Sequence, residues 1–320
     1  MKKLLLINTG GTIAMSEDQT SGKVSPSTEN PLITQSSFFS QFADITVEDY
    51  SNIPSPHMNE AIMLELSQHI EEVANQYDGI VITHGTDTLE ETAYFLELSL
   101  EIDVPVVLTG AMRSSNEIGS DGLANLRSSI FVATDHSSRH KGVLVVMNEE
   151  IHTATYVTKT HTTNLATFQT PTFGPIGLVS KNQVLYFQEC LHREYYHVDQ
   201  IKKRVALLKT YAGMGPELFQ AVLDSDFDGL VIEGLGAGNL PPTTLAPIQA
   251  LIDKQVPIVM VSRAFNGITE DVYDYPGGGK QLHQMGIIYA QGLSGVKARI
   301  KLLMILNAND QVDIASAFHL

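Results

Sequence analysis

The sequence predicts an α/β protein of two open domains with mainly parallel sheets, a larger N-terminal one and a smaller C-terminal one. Two observations carry this prediction. Short, nearly continuous apolar runs rich in β-branched residues recur along the 320-residue chain, which is typical of parallel strands buried on both faces. Amphipathic stretches with helical spacing lie between these runs, and this alternation favours parallel sheets covered by helices.

The predicted strands are bounded by Gly, Pro or polar residues. They run through Leu4–Asn8, Gly79–His84, Val104–Thr109, Gly142–Met147, Val205–Thr210, Gly229–Glu233 and Pro257–Ser262. The predicted helices are Asn59–Gln76, Thr88–Leu100, Gly122–Thr134, Pro216–Leu223, Thr243–Lys254 and Val296–Asn307. Thr88 followed by Glu91 has the pattern of a capping box at the start of its helix.

The stretch Cys190–Arg204 is polar and interrupts the alternation. We therefore expect an N-terminal catalytic domain over residues 1–190, a linker over 191–207 and a C-terminal α/β domain over 208–320. At about 150 residues per domain, the length of the chain agrees with two domains.

Charge and cysteine content exclude several classes of protein. The chain has 20 Lys and Arg against 36 Asp and Glu, a net charge of −16, so we expect no nucleic-acid partner and no membrane partner. One cysteine excludes an intrachain disulfide framework and a cysteine-rich zinc module. The apolar run Leu4–Ile7 is shorter than that of a signal peptide, so a cytoplasmic location is the simplest interpretation.

Candidate site residues follow the predicted strands, because ligands bind beyond the carboxyl ends of strands in open α/β sheets. The first strand is followed by Thr9-Gly10-Gly11-Thr12. Two glycines allow a sharp turn that would present the Thr12 hydroxyl beside backbone N–H groups, as a nucleophile near an oxyanion site requires. On these residues alone, a Thr12 that merely caps a helix is the more common arrangement.

Two further segments carry hydroxyl, carboxylate and ammonium groups. Thr86-Asp87-Thr88 follows the second strand, where Asp87 could be a helix N-cap, a ligand for a cationic group, or both. Lys159 lies between two threonines, where it could accept a threonine's proton or lower its proton affinity. A solvated loop lysine is the alternative. Glu150 and His152 would share a strand face, but two ligands are too few, so we expect no metal.

Several of these motifs together resemble the bacterial-type asparaginases and glutaminase-asparaginases. The two main signatures are Thr9–Ala14 and His84–Thr88. The supporting matches occur in the same order over nearly the whole chain: Gly110–Arg113, Val157–Thr160, Gly236–Leu240 and Lys297–Arg299.

The resemblance implies a cytoplasmic amidohydrolase that forms a homotetramer of tight dimers, or a dimer, and needs no cofactor. By position, Thr12 matches the family's nucleophile, Thr86 its second threonine and Lys159 the paired lysine. Asp87 matches the ligand of the substrate α-ammonium. The substrate-binding set expected from the resemblance is Gly11, Ser55, Gly85, Thr86, Asp87, Ala111 and Asn239, with Ser55 on the α-carboxylate and Asn239 supplied by the partner subunit.

Two departures from the family pattern affect this expectation. Met15–Ser27 lacks the tyrosine common in the family's mobile loop, and Gln19 falls near its place. Pro56 follows Ser55 where Gln is frequent. The expected reaction is hydrolysis of L-asparagine through a threonine acyl-enzyme. The alternatives are a glutaminase-asparaginase, another amidase, or a non-catalytic amino-acid sensor.

Overall fold

A computed structural model describes residues 1–17, 24–26, 38–189 and 193–319. Over these residues the chain divides into two compact units, Met1–Tyr195 and Tyr196–Leu320. Cys190 and Gln19 lie outside the described residues. The domain boundaries expected at 190 and 208 stay a prediction.

The described strands of the first unit are β1 Lys3–Asn8, β2 Met15–Glu17, β3 Val24–Pro26, β4 Asp44–Asp49, β5 Gly79–Thr83, β6 Val106–Thr109, β7 Val143–Met147, β8 Glu150–Thr153, β9 Thr158–Lys159, β10 Phe168–Gln169, β11 Gly177–Ser180 and β12 Gln183–Tyr186. Its described helices are α1 Glu60–Val73, α2 Leu89–Ser99 and α3 Gly122–Thr134. Eight strands form one sheet in the order β12-β11-β8-β7-β6-β5-β1-β4. Strands β4, β1, β5, β6 and β7 are parallel neighbours, whereas β8, β11 and β12 pair antiparallel.

Both faces of this sheet are buried, as β1 illustrates. Leu4 and Leu6 pack into one apolar cluster with residues of β5, β6 and β7. Leu5 and Ile7 point the other way, into a second cluster that contains residues of α1 and α2. Because alternate side chains of a strand face opposite sides of the sheet, a continuous apolar run is what a doubly covered strand requires. The predicted α/β fold is confirmed for this unit.

The second unit contains a smaller parallel sheet. Its strands are β13 Val205–Lys209, β14 Gly229–Gly234, β15 Ile258–Ser262 and β16 Ile288–Tyr289, and its described helices are α4 Glu217–Asp224, α5 Leu245–Asp253, α6 Gly279–Gln284, α7 Gly295–Asn307 and α8 Ile314–Ala317. The four strands pair in chain order, and all three pairings are parallel. None of the described helices of the chain is long and apolar enough to cross a membrane.

The capping-box prediction at α2 is wrong in its side-chain detail. Thr88 is the N-cap residue, but its side chain makes no capping hydrogen bond. The Thr88 hydroxyl instead donates to the carbonyl oxygen of Ser55 at 2.9 Å. A partner from another segment has therefore replaced the local one, and the hydroxyl joins the helix start to the candidate site.

Candidate active site

Four neighbouring strands of the large sheet end side by side and lead into the candidate site. Asn8 at the end of β1 is in register with Asp49 of β4 and with Thr83 of β5, and Thr83 is in register with Thr109 of β6. Because these strands are parallel, the segments that follow them leave from one edge of the sheet. The topology thus gathers loops from four distant parts of the sequence.

The turn after β1 depends on its two glycines. Gly10 and Gly11 have φ angles of +110° and +88°, which are accessible to glycine but unfavourable for other residues. A methyl group on Gly11 would lie 2.4 Å from the backbone of Gly85, so the turns after β1 and β5 are in direct backbone contact. Thr12 follows, half-buried, and opens a short 3-10 turn over Thr12–Ala14.

A buried amide that the sequence motifs did not indicate holds this turn. The side-chain oxygen of Asn8 accepts from the Thr83 hydroxyl at 2.9 Å and from the Gly10 N–H at 3.2 Å. Its amide nitrogen donates to Asp49 at 2.9 Å. The sequence offers one signal for this role, since the polar Asn8 directly follows the four apolar residues Leu4–Ile7. Asn8 therefore couples the turn to both neighbouring strands.

Ser55 is brought to the turn after β5. Its side chain is buried and starts a 3-10 turn over Ser55–His57. A methyl group on Gly85 would lie 2.7 Å from the Ser55 side chain. Because Gly85 has no side chain, Ser55 can lie beside the Gly85–Thr86 segment.

Thr86, Asp87 and Lys159 form a hydrogen-bonded cluster. The Lys159 ammonium donates to the Thr86 hydroxyl at 2.9 Å and to Asp87 Oδ1 at 2.8 Å. Thr86 is buried and the Lys159 side chain is 14% exposed, whereas the Asp87 side chain is 64% exposed. Lys159 is thus not the solvated loop lysine of the alternative interpretation, and the Asp87 carboxylate is both paired and open to solvent.

Ala111 lies buried in the loop after β6, which a carboxylate secures from outside the predicted site. Asp121 accepts hydrogen bonds from the backbone N–H groups of Met112 and Arg113 at 3.0 to 3.1 Å. Asn125 donates to the carbonyl oxygen of Gly110 at 3.0 Å. These two residues of the α3 segment fix the course of the loop that carries Ala111.

His84 is neutral and structural. Complete burial lowers its pKa to about 4. Its Nδ1–H donates to the Gly85 carbonyl at 2.8 Å, and its Nε2 accepts from the Thr92 hydroxyl at 2.9 Å. Both ring nitrogens therefore have partners, and the imidazole joins Gly85 to Thr92 of α2.

Asn239 belongs to the second unit. Its side-chain oxygen accepts from the N–H of Gly279 at 3.1 Å, and its backbone pairs with Leu235 in an isolated bridge. It follows Gly238, whose φ of +113° needs glycine. Asn239 thus sits in a tightly specified turn at the carboxyl end of β14.

Glu150 and His152 share one face of β8, as predicted, with Oε2 and Nε2 3.5 Å apart. Within the described ranges there is no group of three or more His, Cys, Asp or Glu side chains able to hold a metal ion.

Comparison with known protein families separates this chain into the same two parts. Residues 3–192 match the family model described as asparaginase, N-terminal. Residues 204–318 match the model of the glutaminase/asparaginase C-terminal domain. This chain belongs to the asparaginase family.

Individual members of the asparaginase family match this chain over almost its whole length. It is 35% identical to the L-asparaginase of Bacillus licheniformis, over 95% of each chain. It is 40% identical to the "Probable L-asparaginase" of Deinococcus radiodurans, over 96% of this chain and 94% of the relative. The crystal structure of the probable cytoplasmic L-asparaginase from Campylobacter jejuni matches with a TM-score of 0.90 at 32% identity, over 99% of both chains. The resemblance identified from the motifs is confirmed, and the chain is a hydrolase of this family.

Proposed function

We propose that this protein hydrolyses the side-chain amide of L-asparagine to L-aspartate and ammonia through an acyl-enzyme on Thr12. The Thr12 hydroxyl attacks the amide carbon, and the C–N bond breaks as the nitrogen takes up a proton and leaves as ammonia. Water then cleaves the ester, which releases L-aspartate and restores the Thr12 hydroxyl. No cofactor takes part in this scheme.

The observation that carries the proposal is the cluster of Thr86, Lys159 and Asp87. Lys159 Nζ lies 2.9 Å from the Thr86 hydroxyl oxygen and 2.8 Å from Asp87 Oδ1. An ammonium between a hydroxyl and a carboxylate stabilises the negative charge that develops on the hydroxyl oxygen as its proton leaves. It can therefore take part in moving that proton. We assign these three residues to proton transfer during formation and hydrolysis of the acyl-enzyme.

The Gly10–Gly11 turn supports Thr12 as the nucleophile. Both glycines have positive φ, so backbone N–H groups can point at one locus beside Thr12. N–H groups around Gly11 and Thr86 would bind the oxyanion of the tetrahedral intermediate, and each such donor is worth about 3–4 kcal/mol in other enzymes. Electrostatic stabilisation of this kind needs no metal.

The substrate's charged ends have matching groups in the first unit. The Asp87 side chain is 64% exposed, so a substrate ammonium can reach its carboxylate while Lys159 remains bound. Ser55 lies against Gly85 and would donate to the substrate α-carboxylate. Gly11, Gly85 and Ala111 line the same strand ends and would contribute backbone contacts.

Asn239 leads to a proposal about assembly. We propose that two chains pair so that Asn239 of one completes the site of the other, and that the protein is a dimer or a tetramer built from two such dimers. We also place the enzyme in the cytoplasm, in line with the probable cytoplasmic L-asparaginase of Campylobacter jejuni. Analytical ultracentrifugation would give the oligomeric state, and a monomer with full activity would contradict the assembly.

The activity is tested by mixing purified protein with L-asparagine or L-glutamine and measuring ammonia together with the amino-acid product. We expect release of ammonia and L-aspartate in equal amounts and a higher kcat/KM for L-asparagine than for L-glutamine. Binding of L-asparagine without ammonia release between about pH 5 and about pH 9 would instead identify a sensor, because the proposed groups would then hold substrate without reacting.

A further inference from the structure

Glu90, the second residue of α2, is a buried carboxylate that the proposed mechanism does not use. Its residue surface is 8% exposed. One oxygen, Oε1, accepts from the Thr158 hydroxyl and from the backbone N–H of Lys159, both at 3.0 Å. Glu90 therefore binds the backbone of the same lysine whose ammonium contacts Thr86 and Asp87.

The second carboxylate oxygen of Glu90 makes this placement costly. Oε2 is buried and has no hydrogen-bond partner among the residues that the structure describes. Burying an incompletely bonded carboxylate costs free energy that an apolar side chain would not. Such a group in a folded protein calls for an explanation beyond packing.

The position of Glu90 in the chain supplies that explanation. It lies four residues after Thr86, in the first turn of the helix that the Thr86–Asp87 segment leads into. Strand β9 has only two residues, and its ladder partner β10 is equally short. A two-residue ladder specifies the position of a strand weakly, so a bond from α2 adds a direct constraint between the segments whose side chains must meet.

We propose that Glu90 is a positioning residue that holds the β9 backbone at the distance from which the Lys159 ammonium reaches Thr86 and Asp87. This inference rests on the proposed role of Lys159. Glu90 accepts two hydrogen bonds on one oxygen, and in this role it acts through the position of Lys159 and not directly on the substrate. Its loss displaces Lys159, and a displacement of about 1 Å in a catalytic group can lower the rate roughly 100-fold.

The same helix provides a matched control. Glu97 is a second buried carboxylate of α2, but it accepts from the N–H of Val143 and from Arg193 rather than from β9. Leucine at either position removes a buried carboxylate acceptor and replaces it with an apolar side chain of similar size. Glutamine at either position keeps one oxygen acceptor and removes the charge.

The experiment compares kcat, KM and the pH dependence of kcat/KM for L-asparagine, at a temperature where each variant is folded by circular dichroism. We expect Glu90→Leu to lower kcat about 100-fold and to shift the pH profile. Glu90→Gln should recover kcat to within about tenfold of the wild type, because its amide oxygen can still accept from Thr158 and Lys159. Glu97→Leu should leave kcat and the pH profile unchanged even where its unfolding midpoint falls.

Two further variants keep the test decisive. Lys159→Met tests the proton-transfer role of Lys159, on which the inference rests. A Lys159→Met variant with wild-type activity would contradict that role. A folded Glu90→Leu with wild-type kcat and pH profile, beside an inactive Lys159→Met, would overturn the positioning role alone, and so would a Glu90→Gln as impaired as Glu90→Leu. If Glu90→Leu does not fold, Thr158→Val removes one of the two bonds. We expect a lower kcat in that variant, because one of the two bonds from Glu90 to β9 is lost, and an unchanged kcat in a folded Thr158→Val would overturn the inference.

Discussion

The ammonium of Lys159 lies 2.8 Å from Oδ1 of Asp87, although the two residues are 72 positions apart in the chain. The Asp87 side chain is 64% exposed, and ion pairs with exposed partners contribute little to stability. We therefore expect this ion pair to contribute more to catalysis than to the free energy of unfolding. It joins the loop after β5 to β9, which the sequence places in different parts of the domain.

Lys159→Met should separate chemistry from stability. Methionine keeps most of the side-chain volume but removes the proton-carrying group, so we expect kcat to fall by roughly 10²- to 10⁴-fold. The urea-induced unfolding midpoint should change little. Lys2→Met is the matched control, because Lys2 pairs with Asp78 at 3.0 Å where β1 and β5 begin, whereas the site lies where these parallel strands end. A Lys159→Met variant with wild-type kcat would contradict the proton-transfer role.

Gly11→Ala should be far more damaging than its size suggests. The added methyl group would lie 2.4 Å from the Gly85 backbone, and the residue has a φ of +88°. We expect a loss of about 2 kcal/mol or more in the free energy of unfolding, together with loss of ammonia release.

Gly213→Ala is the control for the backbone strain alone. Gly213 has a φ of +78° with no atom within 4 Å of the added methyl position. It should cost about 1 kcal/mol and leave activity unchanged. Equal costs at Gly11 and Gly213 would show that the close contact between the two turns is absent.

Asp121→Ala should act on the loop that carries Ala111. The Asp121 carboxylate accepts from the N–H groups of Met112 and Arg113, so its removal frees the loop. We expect KM for L-asparagine to rise several-fold with a smaller change in kcat, because backbone contacts to bound substrate would be weakened. Asp135→Ala, which removes the acceptor for the exposed N–H of Ser137, should leave KM unchanged.

Glu97 should make stability depend on pH in a direction opposite to that of ordinary carboxylates. Burial raises its pKa from 4.5 to about 7, although the Val143 N–H and Arg193 act against this shift. The folded state therefore binds a proton that the unfolded chain releases between pH 4.5 and about 7. The stabilising contribution of Glu97 is complete below that range and is lost as the pH rises through it.

Urea unfolding of Glu97→Gln and the wild type over this range measures the effect. The free energy of unfolding of the variant, minus that of the wild type, should grow by up to roughly 3 kcal/mol between about pH 5 and about pH 8. Glu189→Gln is the control, because the Glu189 side chain is 81% exposed. A difference for Glu97→Gln that does not change with pH would contradict the raised pKa.

The buried parallel strands could be predicted from the sequence because their apolar runs reflect burial on both faces. The edge strand β4, Asp44–Asp49, was not predicted. Its apolar residues alternate with polar ones and its ends are acidic, because one edge and part of each face meet solvent. The two-residue strands β9 and β10 are too short for any periodicity to indicate.

The sequence indicates the candidate site residues better than it indicates the residues that hold them in place. Thr12, Asp87 and Lys159 belong to motifs that follow strands, and the topology of parallel strands places strand ends together. Glu90 could not be found in this way, because its partners lie 68 and 69 residues away and helix periodicity does not specify partners in another segment. The same reason explains why the Thr88 hydroxyl bonds to Ser55 and not to its own helix.

Thr12 is central to the proposed function, as the nucleophile of an enzyme that deamidates L-asparagine. The most direct test is the initial rate of ammonia release from L-asparagine by wild-type protein, Thr12→Ala and Thr12→Ser, each shown to be folded by its urea midpoint. We predict that Thr12→Ala loses activity by roughly 10³-fold or more, whereas Thr12→Ser, which keeps a hydroxyl, retains measurable turnover. A folded Thr12→Ala that releases ammonia at the wild-type rate would contradict the role of Thr12 as nucleophile.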